Sequence, residues 1–186
     1  MQATTRQEIV LPETRPETEW LRGRAVRKVS PRREHAALQR WWVNNLGAWA
    51  GSRGEVLPEW RFRVAPPGED IRPLVPDVSY LSYERTAGLT EAEVEAPLVP
   101  PNAAIEIRSP GDSRADLEDK VATLLRAGVD VAIVVNPRTR TVIAWDREVK
   151  RIFSRGERFE HHALPGFTFD LDQMFEESRF RPPGRR

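Results

Sequence analysis

The feature that most constrains the fold is the segment from residue 103 to residue 135, in which two apolar stretches flank one amphipathic helix. The first stretch alternates as a β-strand does, so that Ile105 and Ile107 share one face while Glu106 and Arg108 share the other. Further strands are predicted before and after this strand–helix–strand segment in the sequence. The pattern therefore indicates an α/β fold with a mixed central β-sheet flanked by helices.

The helix of this segment is predicted to run from Ser113 to Ala127. Ser113 is a natural N-cap, and Gly128 is a natural terminator. Apolar side chains recur at the spacing of one helical face, and Lys120 lies about 40° from Leu124, at the edge of that stripe. The ordinary interpretation of such a lysine is that its stem packs on the stripe while its ammonium reaches water.

The remaining elements are predicted from alternation, helical periodicity and turn residues. They are an N-terminal hairpin at 20–29, a helix at 30–50 capped by Ser30 with Pro31 in its first turn, strands at 56–64 and 75–81, one helical turn at 91–95 within a loop at 84–102, strands at 129–135 and 141–145, and a last hairpin near 148–159.

At 186 residues the chain suits one α/β domain with some decoration. We expect a loosely ordered segment at 1–17, a domain at 18–175 and a basic tail at 176–186. No apolar run approaches the roughly 20 residues that a membrane helix needs. The N-terminus lacks the apolar core of a secretory signal, and the chain has no cysteine, so a cytoplasmic location is expected.

The basic residues are almost all arginine. Of 29 Lys and Arg residues, only Lys28, Lys120 and Lys150 are lysine. A lysine in such a chain suggests a position that needs a compact, titratable ammonium, which guanidinium does not replace. Basic residues cluster at 22–33 and at the C-terminus, where they would meet phosphates or simply lie in solvent.

Register arithmetic brings Glu106 and Lys120 to one level. Lys120 lies about 10 Å beyond Ser113 along the helix at 1.5 Å per residue. Glu106 lies about 10 Å back from Ser109 along the strand at 3.3 Å per residue. If the helix folds back along its strand, the two side chains meet. The alternative is a half-exposed strand on which Glu106 and Arg108 face water.

Asp77 is the third member of this predicted cluster. As part of a Pro-Asp pair it is most simply a turn residue, but it also opens an apolar strand that could pair beside the Glu106 strand. Two converging carboxylates with a lysine nearby are what magnesium-dependent phosphodiester hydrolysis requires. The oxygens hold the ion, the ion activates water, and the ammonium orients that water or offsets developing charge.

Several motifs resemble those of the Uma2 family within the PD-(D/E)xK nuclease superfamily. They are PDV at 76–78, IEIRSPGDSRADLEDK at 105–120 and AGVDVAIVVNP at 127–137, with EWLRGRAV at 19–26 and SPRREH at 30–35 upstream. The match covers roughly residues 19–170, and the order and spacing of the motifs agree with those of the family.

The resemblance implies a restriction-endonuclease-like fold with an N-terminal hairpin, and a DNA endonuclease that uses Mg²⁺ or Mn²⁺. It implies that Asp77, Glu106 and the backbone carbonyl of Ile107 hold the metal. It further implies that the catalytic lysine has moved from the position of Arg108 to Lys120. Glu19 matches an acidic position that supports the metal or its water, although an exposed hairpin carboxylate is an equal reading.

The histidines and tryptophans are weaker signals. His35, near a helix start, is more often a packing or capping residue than a catalyst, but with Arg108 it is a possible supporting residue of the site. His161 and His162 on a predicted strand would point to opposite faces and chelate poorly. The tryptophans at 41, 42 and 49 have helical spacing that favours a core or a homodimer contact over base stacking. The alternatives to catalysis are an inert nuclease-like fold that binds DNA and a protein-interaction module.

Overall fold

The computed structural model describes residues 6–28 and 31–180. Its strands are β1 (Thr18–Leu21), β2 (Arg24–Arg27), β3 (Gly54–Pro58), β4 (Phe62–Val64), β5 (Arg72–Leu74), β6 (Val78–Ser82), β7 (Ala103–Ile107), β8 (Val131–Asn136), β9 (Thr141–Trp145), β10 (Lys150–Phe153), β11 (Arg158–Phe159) and β12 (Phe169–Asp170). Its α-helices are α1 (Arg33–Ala50), α2 (Tyr83–Thr86), α3 (Glu91–Glu95), α4 (Arg114–Ala127) and α5 (Leu171–Glu177).

A six-stranded mixed sheet forms the centre of the molecule, in the order β10-β9-β8-β7-β6-β3. Strands β7 and β8 are parallel and are connected by α4, whereas the other neighbours are antiparallel. Ser113 caps α4 by accepting a hydrogen bond from the backbone N–H of Asp116, and Gly128 ends the helix in the left-handed conformation. The predicted α/β class, mixed sheet and N-terminal hairpin are confirmed.

Helix α1 packs against one face of this sheet. Its Trp42 is fully buried and contacts the rings of Phe159, Phe167 and Phe169 edge-on or tilted. The isoleucines of β7 belong to the same apolar cluster. The tryptophan stripe of α1 is therefore part of the core of a single chain, which was one of its two predicted roles.

Helix α4 packs against the opposite face, where Leu124 contacts the side of the sheet that carries Ala104. Because side chains alternate along a strand, Glu106 projects to the α4 side of β7 while Ile105 and Ile107 project toward α1. The hairpin of β1 and β2 lies over the start of α4. There Nη2 of Arg24 donates to Oδ2 of Asp116 at 2.5 Å.

The single strand predicted at 56–64 is wrong, because the chain forms two strands there. Strand β3 joins the central sheet, whereas β4 pairs with β5 in a separate two-stranded sheet. Between them, Glu59 has a positive φ of 50°. A left-handed residue directly after Pro58 turns the chain out of the sheet, and the alternating apolar pattern continues across the break.

The hairpin predicted near 148–159 is also wrong. Strand β10 pairs with β9 across the turn at 146–149, and β11 pairs with β12 instead. The turn of the N-terminal hairpin lies at Arg22 and Gly23, both with positive φ. The proposed cap at Ser30 lies outside the described residues, and α1 begins at Arg33.

The described part of the N-terminal segment contacts the domain. Glu8 forms a β-bridge with Ile71, and both carboxylate oxygens of Glu8 accept hydrogen bonds from Arg63 at 2.6 Å. Among the described residues, no helix combines the length and the apolar composition needed to cross a bilayer.

Candidate active site

Asp77 and Glu106 lie side by side on neighbouring strands. Val78 of β6 pairs with Ile105 of β7 in antiparallel orientation. Asp77, which precedes Val78, therefore lies opposite Glu106, which follows Ile105. Oδ2 of Asp77 accepts a hydrogen bond from the backbone N–H of Ile107 at 2.7 Å. Both carboxyls line one cavity of about 300 Å³. The strand pairing thus brings together two carboxyl groups that are 29 positions apart in the sequence.

Lys120 reaches this cavity from α4. Its Nζ lies 2.8 Å from Oε1 of Glu106 and 2.6 Å from Oε1 of Glu19, and it donates to the carbonyl of Val75 at 2.9 Å. Only 4% of the side chain is exposed, so the ammonium does not extend to solvent. The predicted meeting of Glu106 and Lys120 therefore occurs, and the water-facing alternative for both residues is wrong.

Glu19 is buried at the inner end of the N-terminal hairpin. Besides its contact with Lys120, its Oε1 accepts the backbone N–H of Val75 at 2.6 Å. The reading of Glu19 as an exposed hairpin carboxylate is therefore wrong. The residue joins β1 to the segment that leads into Asp77.

Lys28, which directly follows β2, is a site residue that the sequence reasoning did not assign. Its Nζ lies 2.6 Å from Oδ1 of Asp77 and donates to the carbonyl of Val75 at 2.9 Å. The signal that could have found it is the scarcity of lysine, because two of the chain's three lysines meet at this cavity.

Helix α1 supplies the remaining wall. Nε2 of His35 lies 3.5 Å from Oδ2 of Asp77, and its Nδ1 lies 3.1 Å from Oγ of Ser109. One turn further on, Nε2 of Gln39 donates to the backbone carbonyl of Asp77 at 2.9 Å. His35 is thus a buried member of the site, whereas Gln39, which holds the backbone of Asp77, has no sequence signature.

Arg108 lies at the edge of the same cavity, just beyond the end of β7. Its backbone N–H donates to the carbonyl of Val135, which extends the ladder between β7 and β8. Its Nε is buried and has no hydrogen-bond partner among the described residues. Such a guanidinium nitrogen is suited to an anion that enters the cavity.

Burial and the neighbouring charges shift the pKa values of Asp77, Glu106 and Lys120 in this small volume. Burial would raise the pKa of Asp77, but Lys28 and His35 hold it well below its ordinary value. Burial raises the pKa of Glu106 to about 8, against the attraction of Lys120. Burial would lower the pKa of Lys120, yet Glu106 and Glu19 hold it above its ordinary value.

The oxygens of this site fit a hard divalent cation. The carboxylate of Glu106 is buried, and its Oε1 and Oε2 lie 2.8 and 2.9 Å from Nζ of Lys120, while Asp77 presents a second carboxylate beside it. Carboxylate and carbonyl oxygens are the ligands that Mg²⁺ and Mn²⁺ accept. The carbonyl oxygen of Ile107 remains a predicted third protein ligand.

The prediction that His161 and His162 point to opposite faces is wrong, because they lie in a turn and their rings stack at 4.5 Å. Their Nε2 atoms lie 3.2 and 3.6 Å from Oδ2 of Asp146. However, the N–H of Ala163 donates to Nδ1 of His161, so a neutral His161 carries its proton on Nε2. A metal needs the lone pair of that nitrogen, and the cluster therefore favours a histidine–aspartate contact.

Comparison with known proteins gives one family and one fold. The model of the Uma2 family, described as "Putative restriction endonuclease", matches residues 6–172. A crystal structure of a putative nuclease belonging to DUF820 from Anabaena variabilis is similar with a TM-score of 0.80 and 22% identity, over 91% of this chain and 95% of that one. No curated protein matches the chain. At this identity the structural likeness supports the fold alone.

Proposed function

The chain belongs to the Uma2 family of restriction endonuclease-like proteins, and on that premise we propose that it is a metal-dependent nuclease that hydrolyses phosphodiester bonds of DNA. Asp77, Glu106 and the carbonyl of Ile107 would hold Mg²⁺ or Mn²⁺. Lys120 would act beside them in place of the lysine that the superfamily carries on the strand.

The observation that carries this proposal is the convergence of Asp77, Glu106 and Lys120 in one cavity. Each comes from a different element, namely the start of β6, strand β7 and helix α4. Burying three ionisable groups together costs several kcal/mol unless they compensate one another, and apolar residues would fill the space more simply. Such an arrangement is typical of a functional site.

When bound, the divalent ion would polarise the scissile phosphate and lower the pKa of the attacking water. The protein groups have separate tasks around it. The N–H of Ile107 holds Oδ2 of Asp77, so Oδ1, which contacts Lys28, is the oxygen that the metal would take. Lys120 holds Glu106 and Glu19 in place, and its ammonium can orient the water or offset charge on the phosphate.

Basic side chains around the cavity support a nucleic-acid substrate. Arg27 and Arg108 line it together with Lys28, and Arg22 and Arg24 lie nearby on the hairpin, each about half exposed. Guanidinium groups contact phosphate oxygens in a fork geometry and contribute the salt-dependent part of binding.

Cleavage of a supercoiled plasmid tests the proposal. The purified chain is incubated with plasmid and Mg²⁺, Mn²⁺ or EDTA, and Asp77→Asn and Glu106→Gln are compared with Glu118→Gln. Glu118 is the control because it is a half-exposed carboxylate on α4. We expect nicking with metal by wild type and Glu118→Gln, and a loss of at least about a hundredfold in the two site variants. Equal nicking by wild type and all three variants would refute the proposal. The same assay with RNA in place of plasmid tests whether DNA is the substrate.

A second candidate function is an inert nuclease-like fold that binds DNA. The observation that favours it is that Lys28 and Lys120 already neutralise the site carboxylates without a metal. It predicts salt-sensitive DNA binding and no cleavage with any divalent ion. The plasmid assay and a binding titration at two salt concentrations separate the two candidates.

A further inference from the structure

Lys28 contacts the carboxylate oxygen of Asp77 that the proposed metal would need. Its Nζ lies 2.6 Å from Oδ1 of Asp77. The other oxygen of that carboxylate already accepts the N–H of Ile107 at 2.7 Å and faces Nε2 of His35 at 3.5 Å. A divalent ion can reach Asp77 only through Oδ1, where it would lie about 2.1 Å from the oxygen and next to a positive ammonium.

The two lysines of the cavity are held unequally. Lys120 contacts the carboxylates of Glu106 and Glu19 as well as the carbonyl of Val75. Lys28 contacts one carboxylate and the same carbonyl. Its backbone N–H is bound separately, to the carbonyl of Glu17. The Lys28 side chain can therefore leave Asp77 while its backbone stays paired, whereas Lys120 would have to give up two carboxylates.

Resting on the function proposed above, we propose that Lys28 is an internal cation that competes with the divalent metal for Asp77. Metal binding displaces its ammonium from Oδ1 into the cavity that Lys28 lines. Lys28 is then a positioning residue toward the metal, because it sets the metal concentration at which the site fills.

Lysine suits this position better than the arginine that the chain uses almost everywhere else. An ammonium on a flexible stem makes point contacts and is exchanged readily. A guanidinium would hold a carboxylate through two parallel hydrogen bonds and would resist displacement. The proposal therefore predicts opposite effects for removing the charge of Lys28 and for replacing it with arginine.

Manganese binding measured without DNA tests the proposal. Free Mn²⁺ is counted by electron paramagnetic resonance during titration of wild type, Lys28→Met, Lys28→Gln and Lys28→Arg. Lys150→Met is the matched control, because Lys150 is exposed on β10 and stacks over Trp145. We expect Lys28→Met and Lys28→Gln to bind Mn²⁺ about tenfold more tightly, equivalent to about 1.4 kcal/mol, Lys28→Arg to bind more weakly, and Lys150→Met to match wild type.

An Asp77→Asn variant distinguishes failure of this inference from failure of the proposed metal-dependent function. If wild type binds Mn²⁺ through Asp77 but Lys28→Met and Lys28→Gln bind with unchanged or weaker affinity, the competition is wrong while the metal-dependent function stands. If no variant shows saturable binding that Asp77→Asn removes, the metal-dependent function fails, and this inference fails with it. Circular dichroism shows whether each variant is folded. Lys28→Arg keeps the positive charge, so it still tests the competition if the neutral variants do not fold.

Discussion

Nζ of Lys120 lies 2.8 Å from Oε1 of Glu106, across the boundary between helix α4 and strand β7. The two residues are 14 positions apart in the sequence, and the turn between them leads the chain from the strand into the helix that covers it. A lysine on the helix thereby contacts a carboxyl of the strand. Arg108, two positions after Glu106 and just beyond the end of β7, lines the same cavity.

Replacing Lys120 with methionine will destabilise the fold. The ammonium neutralises Glu19 and bonds Glu106 in a buried setting, and removing one partner of such a group leaves an uncompensated charge. We expect a loss of about 3 kcal/mol in the free energy of unfolding, measured by urea denaturation. Lys150→Met, which removes an exposed lysine, should change it by less than about 0.5 kcal/mol. Equal effects of the two substitutions would contradict the buried network.

Stability should fall as pH rises through the raised pKa of Glu106. This carboxyl has an ordinary pKa of 4.5 and one of about 8 in the folded chain. Between these values the folded state keeps a proton that the unfolded state releases, so the free energy of unfolding decreases with pH. The pKa of Asp77 is lowered instead, and its contribution is lost only in acid, below this window.

Glu106→Gln isolates that contribution. The amide cannot titrate, so the variant should gain stability relative to wild type as the buffer is changed from pH 5.5 to pH 8.5. Urea midpoints at the two pH values provide the measurement. A pH dependence identical to that of wild type would show that Glu106 does not carry the proton.

Removing the side chain of Arg108 should weaken DNA binding more than it changes stability. Its buried Nε lacks a hydrogen-bond partner among the described residues, so little is lost in the free protein, while one phosphate contact disappears. For Arg108→Gln we expect the slope of log affinity against log salt to fall by about 0.9. Fluorescence anisotropy with a labelled duplex measures it. Arg155→Gln, in the turn between β10 and β11, is the control, and an unchanged slope for Arg108→Gln would exclude the contact.

Trp42 should behave as a core residue and not as a dimer contact. It is fully buried among the phenylalanines of β11, β12 and the preceding turn. Trp42→Ala should cost about 4 kcal/mol of stability, as is usual when a large buried ring is removed. Calorimetry gives the loss, and sedimentation of the folded variant should give the same mass as wild type. A change in mass without a loss of stability would favour the homodimer alternative.

The strand–helix–strand unit and the contact between Glu106 and Lys120 could be predicted from the sequence, because both depend on local rules. Alternation sets the face of Glu106, helical periodicity sets the edge position of Lys120, and the lengths of the two elements bring them level. Ser113 and Gly128 mark the helix ends by residue type alone. These relations need no knowledge of distant partners.

Relations that depend on tertiary pairing could not be predicted in this way. Lys28 reaches Asp77 only because the hairpin lies over α4, and Gln39 meets the carbonyl of Asp77 only because α1 crosses below β6. The positive φ of Glu59 divides a continuous apolar alternation into two strands, and a glutamate side chain does not predict that backbone conformation. In each case the physical cause is a long-range contact or a local φ angle that residue type does not determine.

We propose that Asp77 and Glu106 together hold one divalent ion beside Lys120. Anomalous diffraction from crystals of the protein soaked in Mn²⁺ would locate that ion. We expect one peak within about 2.3 Å of a carboxylate oxygen of each acidic residue, with the ammonium of Lys28 moved away from Asp77. No peak between the two carboxylates at saturating metal, or a peak only at Asp146 and the neighbouring histidines, would contradict it.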